Sequence, residues 1–325
     1  MTEALIEPSD IRFFSGSSHP QLAAGITQYL RVPLDDTIIR RFSNDNLYVQ
    51  LGASVRGRRV YLVQSLFPPV NDHLVELLMM IDIARSAAAK EIHAIIPYFS
   101  FARSDKKDAP RISITAKLVA SLLETAGATH FMTMMLHSPQ VHGFFGIPAD
   151  PLTARPVFEN YFRERDLSST IVVAPDVSHA KSAGRFAGNL ELPVAAGNKE
   201  RLSDTSVKIT GLVGRQVQGF KKAIIYDDEI ATGTSVIEMS DLLARTGIEE
   251  IAVVCTHGVF VRNALQRLSK ITEITEIVTS DTVRIPLDRR TSKLKVLAVA
   301  HIFGEAIRRN YRRESIDGLF VYGEE

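Results

Sequence analysis

The chain has 325 residues, 45% hydrophobic and 23% charged, a composition that excludes a disordered or fibrous protein and leaves room for two domains, each with its own core. Thirty-eight basic against thirty-seven acidic side chains leave a net charge of +1, which excludes a general nucleic-acid-coating role and confines anion binding to local sites. No apolar run reaches about 18 residues and Met1 to Asp10 is acidic and polar, so no signal peptide, no membrane span and a cytoplasmic location are expected.

In chain order, Ile11 to Phe14, Leu47 to Leu51, Val60 to Gln64, Ile92 to Ile96 and Phe131 to Met135 are short β-branched or aromatic runs that predict strands. Between them Pro20 to Leu30, Asp72 to Ala89 and Ser113 to Ala126 have helical period. The second of these carries Leu74, Leu77, Leu78, Ile81 and Ala84 on one face behind an expected Asn71/Asp72 cap. The stretch from Gly146 to Pro156 holds three prolines and few periodic apolar residues, which predicts a linker. The alternation then restarts, with strands at Ile171 to Ala174, Ala223 to Tyr226, Ile251 to Val254 and Glu276 to Val278. Helices are expected near Lys181 to Leu190, Thr234 to Arg245 and Arg262 to Leu268. The single cysteine, Cys255, falls in the run from Ile251 to Thr256; it excludes a disulfide framework within the chain and reads as a buried strand residue. Strands alternating with helices imply an α/β protein of two similar units, each a mainly parallel sheet flanked by helices, divided as residues 1–152 and 153–325.

The most informative segment runs from Ala223 to Ser235: an apolar strand, the carboxylates Asp227 and Asp228, then the small turn Ala231-Thr232-Gly233-Thr234-Ser235 opening a helix. Backbone N–H groups of such a turn, the positive helix end and the hydroxyls of Thr232, Thr234 and Ser235 suit a phosphate dianion. Two acids at the C-terminal end of the strand suit the hydroxyls of a ribose, in the crevice where open α/β sheets bind ligands. No Walker-type phosphate loop is present, because Gly214 and Gly219 have the separation but Phe220 stands at the lysine position.

This loop resembles that of the type I phosphoribosyltransferase fold. Further segments narrow the resemblance to the ribose-phosphate diphosphokinases: Gly16 to Ala23, Arg41-Phe42-Ser43, Ser54 to Gly57, Asn71 to Leu77, Ile96 to Asp108, Ile114 to Lys117, Leu136 to Phe145, Ala174-Pro175-Asp176, Thr256-His257-Gly258, Glu305 to Arg309 and Glu314 to Ile316. The resemblance implies two tandem phosphoribosyltransferase-like domains, ATP on the first and ribose 5-phosphate on the second, with a C-terminal tail packing back on the first. It implies transfer of the β,γ-diphosphoryl group of ATP to the 1-hydroxyl of ribose 5-phosphate, giving phosphoribosyl diphosphate and AMP. ATP would meet Phe42, Asn44, Asn46, Arg103, Ser104 and His137. Ribose 5-phosphate would meet Asp227, Asp228, Ala231, Thr232, Gly233, Thr234 and Ser235, with Mg²⁺ near His137 and Asp176. Lys199 and Arg201, in a flexible segment from Asn198 to Ser206, would stabilise the charge that builds on the phosphoryl oxygens and exclude water. Oligomers are implied, a hexamer built from dimers, because a neighbouring subunit completes the adenine pocket.

Departures from the family's pattern cluster at its ligand-binding places. Met135 stands where the family has an aspartate two residues before His137, and Asn44 and Asn46 replace two acids of its adenine-recognition hairpin. Val177-Ser178-His179 replaces a glycine pair after Asp176, which predicts obstruction of a close backbone approach to diphosphate. Ala231 replaces an aspartate, a change that ordinary phosphoribosyltransferases tolerate. Around Arg85 to Ala88 the family's second arginine and its serine, which belong to its regulatory site, are missing, and Val261-Arg262 replaces its Ser-Gly after Thr256-His257-Gly258-Val259-Phe260. These departures motivate one alternative, a catalytically weakened regulatory paralogue that assembles with an active synthase. A phosphoribosyltransferase acting on a base or amine is another.

Overall fold

Five parallel strands form the first sheet of the computed structural model, which describes residues 6–201 and 207–320. These are β1 (Ile11–Ser15), β4 (Arg59–Val63), β5 (Glu91–Ile96), β6 (His130–Met134) and β7 (Ala149–Leu152), in that spatial order; β2 (Thr37–Arg41) and β3 (Leu47–Leu51) make a separate antiparallel hairpin. Helices α1 (Pro20–Leu30), α2 (Val70–Ser86) and α3 (Thr115–Ala126) supply the crossovers. Leu74, Leu77, Met80, Ile81 and Ala84 of α2 recur at helical spacing and pack against Phe14, Leu62, Ala94 and Phe131 on one sheet face, the pattern that helical period in the sequence predicts. The α2 cap differs from expectation. Pro69 is the N-cap residue, without a side-chain cap bond, and Asp72 lies inside the first turn, where its charge complements the helix dipole and pairs with Arg41 at 2.9 Å.

The proline-rich stretch expected as a linker is ordered structure. Pro151 sits in β7, an edge strand, where its missing N–H faces no ladder partner; Pro156 sits in the first turn of α4 (Arg155–Arg163), where the helix has no use for that N–H.

In the second sheet, the other strands flank β8 (Thr170–Ala174). On one side stand β9 (Val194–Arg201) and β10 (Val207–Gly214); on the other β11 (Lys222–Ile230), β12 (Glu250–Gly258), β13 (Ile274–Ser280) and β14 (Leu294–Leu297). All pairings are parallel except β9 with β10. The chain therefore leaves β8 toward β9 and later returns to β11 on the opposite side, which makes the C-terminal ends of β8 and β11 the switch point of the sheet. Helices α5 (Ala180–Asn189), α6 (Thr234–Arg245) and α7 (Ala264–Ser269) complete this unit. Cys255 is fully buried in β12 beside Thr279, and burial pushes its thiol well above the usual range.

Two compact units result. One holds the residues up to Thr153, Thr282–Arg284 and those from Ala298 on; the other holds Ala154–Asp281 and Ile285–Leu297. The last helix, α8 (Ala300–Arg312), thus belongs with the first unit, where it packs on α1: Glu305 accepts from Tyr29 Oη at 3.0 Å, and Gly304 lies so close to the Tyr29 ring that a Cβ would meet it at 2.4 Å. No helix among the described residues is long and apolar enough to cross a membrane.

Candidate active site

The turn after β11 is built from both ends. β11 runs through the acids, so Asp227 and Asp228 lie among its last four residues, and its pairing with β12 continues through Glu229 to His257 and Ile230 to Gly258. The carbonyls of Ile230 and Ala231 then accept the N–H groups of Phe260 and Val261, each at 3.0 Å. That segment is itself tied down, because the Arg289 guanidinium donates to the carbonyls of Phe260 at 2.6 Å and Arg262 at 3.0 Å. Gly233 is the N-cap of α6 with φ +75°, in the left-handed region, and a Cβ there would stand 3.3 Å from Leu268 Cδ1. The first N–H groups of α6 have no acceptor within the helix, and the Thr232 and Thr234 hydroxyls lie beside them, 3.2 Å apart. Ser235 follows in the same first turn, so all five turn residues, Ala231 to Ser235, stand together as expected.

Asp228 is 3% exposed, and Asp227 Oδ1 accepts its backbone N–H at 2.9 Å. Burial first, and then the charge of Asp228, raise the Asp227 carboxyl well above the usual carboxylate range, opposed by a nearby imidazole. That imidazole is His179. Asp176 follows β8 and caps the short helical turn Val177–His179, accepting from His179 N at 3.3 Å and from the Ser178 hydroxyl. This turn aims His179 at the acids: Nδ1 is 3.0 Å from Asp176 Oδ1, and Nε2 is 3.2 Å from Asp228 Oδ1 and 3.9 Å from Asp227 Oδ1. Burial opposes a charge on the ring, but hydrogen bonds to Asp176 and Asp228 and the charges of Asp228 and Asp227 outweigh it, pushing its pKa up to about 11. Sequence reading placed Asp176 and Asp227/Asp228 in the site but took His179 as an obstruction. The available signal was an Asp-x-x-His spacing directly after a strand; the 48-residue separation of His179 from Asp227 concealed the rest, since only the parallel pairing of β8 with β11 brings them together. Glycine is required nearby too: at Gly197 in β9 a Cβ would meet the Pro175 carbonyl at 2.5 Å.

Lys199 and Arg201 lie in β9, opposite Ile209 and Val207 of β10, and their side chains lie outside the described residues, as do residues 202–206 of the expected closing segment. A loop was expected from Asn198 onward; the backbone instead continues as strand to Arg201. The charge run concealed an antiparallel partner whose alternating Val207-Lys-Ile-Thr pattern supplies the ladder.

On the first unit, His137 is half-buried beyond β6. Met135, two residues earlier, has φ +38°, a conformation costly for a side chain of its size, held by its N–H donating to the Leu152 carbonyl at 2.9 Å. Arg103 and Ser104 end the short helical turn after β5, and the adjoining Asp105 carboxylate accepts the Ser138 hydroxyl at 2.5 Å. This bond brings the Arg103-Ser104 and His137 segments together at the C-terminal ends of β5 and β6. Phe42, Asn44 and Asn46 stand apart from that pair on the β2–β3 hairpin tip, where Phe42 N donates to Asn46 O at 2.8 Å and the Phe42 ring is 55% exposed. Arg41 fixes the tip by pairing with Asp45 at 2.7 Å and with Asp72 of α2. Sequence reading also missed the support behind β1. The 3%-exposed Glu76 carboxylate accepts from Ser17 N at 2.6 Å, Ser17 Oγ at 2.7 Å and Gln64 Nε2 at 2.6 Å, holding the Gly16-Ser17-Ser18 turn.

An acidic pair and an α6 turn at the switch point of one α/β unit, in a chain that carries a second unit of the same class, define a protein of the phosphoribosyltransferase fold. Comparisons with known proteins narrow the class. Residues 11–127 match the N-terminal domain of ribose phosphate pyrophosphokinase, and residues 206–321 match the phosphoribosyl synthetase-associated domain. A Streptomyces coelicolor protein provisionally named ribose-phosphate pyrophosphokinase is 50% identical over 96% of this chain and 98% of its own. The ribose-phosphate pyrophosphokinase of Deinococcus radiodurans is 43% identical over 96% and 98%. The crystal structure of phosphoribosylpyrophosphate synthetase from Mycobacterium smegmatis superposes with a TM-score of 0.87 at 34% identity, covering 94% of this chain and 99% of that one. The chain belongs to the ribose-phosphate pyrophosphokinase family.

Proposed function

We propose that this chain transfers the β,γ-diphosphoryl group of ATP to the 1-hydroxyl of ribose 5-phosphate. The observation that carries the reading is the Asp227-Asp228 pair ahead of the Ala231–Ser235 turn at the sheet's switch point, in a chain whose relatives share nearly its whole length. The α6 N-terminus with Thr232, Thr234 and Ser235 receives the 5-phosphate, and Asp227 and Asp228 accept from the ribose hydroxyls. The ribose 1-oxygen attacks the β-phosphorus, the bond from that phosphorus to the α,β-bridging oxygen breaks, and AMP leaves while the hydroxyl proton passes to solvent. Lys199 and Arg201 are assigned to the phosphoryl oxygens, as a mobile point charge and a bidentate fork. Phe42, Asn44 and Asn46 are assigned to the adenine, and Arg103, Ser104 and His137 to the triphosphate. The hairpin tip stands exposed on its own unit, which supports a homo-oligomer in which a neighbouring copy completes the nucleotide pocket. A hexamer built from dimers, and a cytoplasmic setting, complete the proposal.

Mg²⁺ enters this scheme as part of the substrate, Mg-ATP, beside His137. On the ribose side the His179 ring and the Asp228 carboxylate offer ligand atoms close enough together to hold such an ion, with the hard oxygens of Asp176 adjacent, and an ion there would add positive charge beside the acids. No step is derived through one.

AMP release from ATP and Mg²⁺ tests the reading: release that requires ribose 5-phosphate and is lost in Lys199→Ala supports it. The second reading, a slow-turnover partner of an active synthase, draws on Met135 and His179 and predicts oligomers without AMP.

A further inference from the structure

The segment that meets the start of the phosphate turn has a backbone that does not hold its shape unaided. Phe260 and Arg262, on either side of Val261, have φ +41° and +56°, both in the left-handed region that favours glycine and strains a residue with a side chain. The same segment carries the N–H groups of Phe260 and Val261, which reach the carbonyls of Ile230 and Ala231 at 3.0 Å each, so its conformation and that of the turn are coupled. Arg289 clamps it. One nitrogen of the guanidinium, Nη2, donates to Phe260 O at 2.6 Å and to Arg262 O at 3.0 Å, the carbonyls of the two strained residues. Among the described residues no carboxylate pairs with Arg289, so its charge strengthens bonds to backbone alone.

The clamp is itself fastened. The short helical turn Leu287–Arg289 and the residues after it are tied to α7, where Gln266 Nε2 donates to Arg289 O at 3.4 Å and the Ser269 and Thr291 hydroxyls stand 2.8 Å apart. The same helix supplies Leu268, the side chain that lies against Gly233. Residues Phe260 to Arg262, α7 and Arg289 therefore form one frame behind Ala231 to Gly233, all of it within the second unit.

We propose that Arg289 is a positioning residue for the phosphate turn: it keeps Phe260 and Arg262 left-handed and, through the carbonyls of Ile230 and Ala231, sets where the N–H groups at the start of α6 converge. It acts through the backbone and not on the phosphate itself. The inference rests on the ribose 5-phosphate assignment above for the identity of the ligand; the strained segment and its clamp stand without it.

The test joins amide hydrogen exchange of the ligand-free full chain to steady-state KM values for ribose 5-phosphate and ATP. In Arg289→Met the N–H groups of Phe260 and Val261 are expected to exchange about tenfold faster than in the native chain, and the ribose 5-phosphate KM to rise by about tenfold while the ATP KM holds. Adding Arg262→Gly is the deciding step: glycine adopts φ +56° without strain, so the double variant is expected to return close to Arg262→Gly alone in both readouts. An arginine that merely drew in the phosphate by its charge would give the opposite result, since the glycine removes a second cation. Urea unfolding and far-ultraviolet circular dichroism check that each variant is folded under assay conditions. Arg289→Lys, which keeps a charged donor without the planar fork, serves if the methionine variant is not, with a smaller rise in both readouts expected. Native exchange at Phe260 and Val261 in the variant would overturn the proposal, as would a double variant no better than the single one, or faster exchange with a native ribose 5-phosphate KM. A native chain whose turnover does not depend on ribose 5-phosphate would refute the ligand assignment instead, and the exchange rates alone then decide the clamp.

Discussion

Replacing Gly233 with alanine tests whether the α6 turn is the phosphate site. At φ +75° an L-residue pays about 1–2 kcal/mol, and the added Cβ, 3.3 Å from Leu268 Cδ1 and 3.4 Å from its Cγ, asks that side chain to give by a few tenths of an ångström. If the turn instead relaxes toward negative φ, the N–H groups of Thr234 and Ser235 swing away from their common focus. A loss of about 1.4 kcal/mol of phosphate binding is a tenfold rise in the KM for ribose 5-phosphate. Gly247 is the control: its φ is +95°, and a Cβ there meets nothing within 4 Å, so Gly247→Ala pays backbone strain alone beyond the far end of α6. Urea unfolding of both variants, with steady-state KM values for ribose 5-phosphate and ATP, separates the terms. Both variants are expected to lose about 1–2 kcal/mol of stability. Only Gly233→Ala is expected to raise the ribose 5-phosphate KM, by about tenfold or more, with the ATP KM nearly unchanged. An unchanged ribose 5-phosphate KM in Gly233→Ala, or an equal rise in Gly247→Ala, would refute the placement of the phosphate.

Glu76→Ala removes three short hydrogen bonds to a buried carboxylate and leaves the Gln64 amide, 0% exposed, short of an acceptor; about 2–4 kcal/mol should be lost, and Glu76→Gln, which keeps one acceptor oxygen, should recover over half of it in urea titrations. Glu305 has its pKa lowered to about 2, first by the Arg308 hydrogen bond, against burial, and then by Arg309 and Tyr29. At about 1.4 kcal/mol per pH unit the ceiling is about 3.5 kcal/mol, and partial exposure of this network reduces it to about 1–2. A depressed carboxylate stabilises the fold above its ordinary value and loses that contribution as pH falls toward the folded-state value. Native and Glu305→Gln proteins should therefore differ most at neutral pH and converge as pH drops from 4.5 to about 2; a gap that widens on acidification would contradict the assignment.

The parallel core was legible because its signals are local. The helical spacing of α2 and the β-branched runs of β5, β6 and β12 need no distant partner to be recognised. The turn from Asp227 to Ser235 was legible for the same reason, since carboxylates, turn and helix start lie within one short stretch. Where reading failed, a residue's role depended on its neighbour in space. Pro151 and Pro156 signal a chain break in isolation, yet an edge strand and a first helical turn are the two places that tolerate them. The charged start of the closing segment looked like a loop because β10, its partner, makes it a strand. His179 looked like an intruder at a glycine position, because the acids it meets arrive from β11 only after the sheet has formed.

The central claim is that ATP gives up its two terminal phosphoryl groups as one unit, and the direct measurement uses ATP carrying radiolabel at the β-phosphorus, incubated with Mg²⁺ and ribose 5-phosphate. Label recovered in phosphoribosyl diphosphate, with unlabelled AMP as the co-product and no transfer when ribose 5-phosphate is omitted, is the predicted result. Label retained in ADP, or transfer that proceeds without the sugar phosphate, would contradict it.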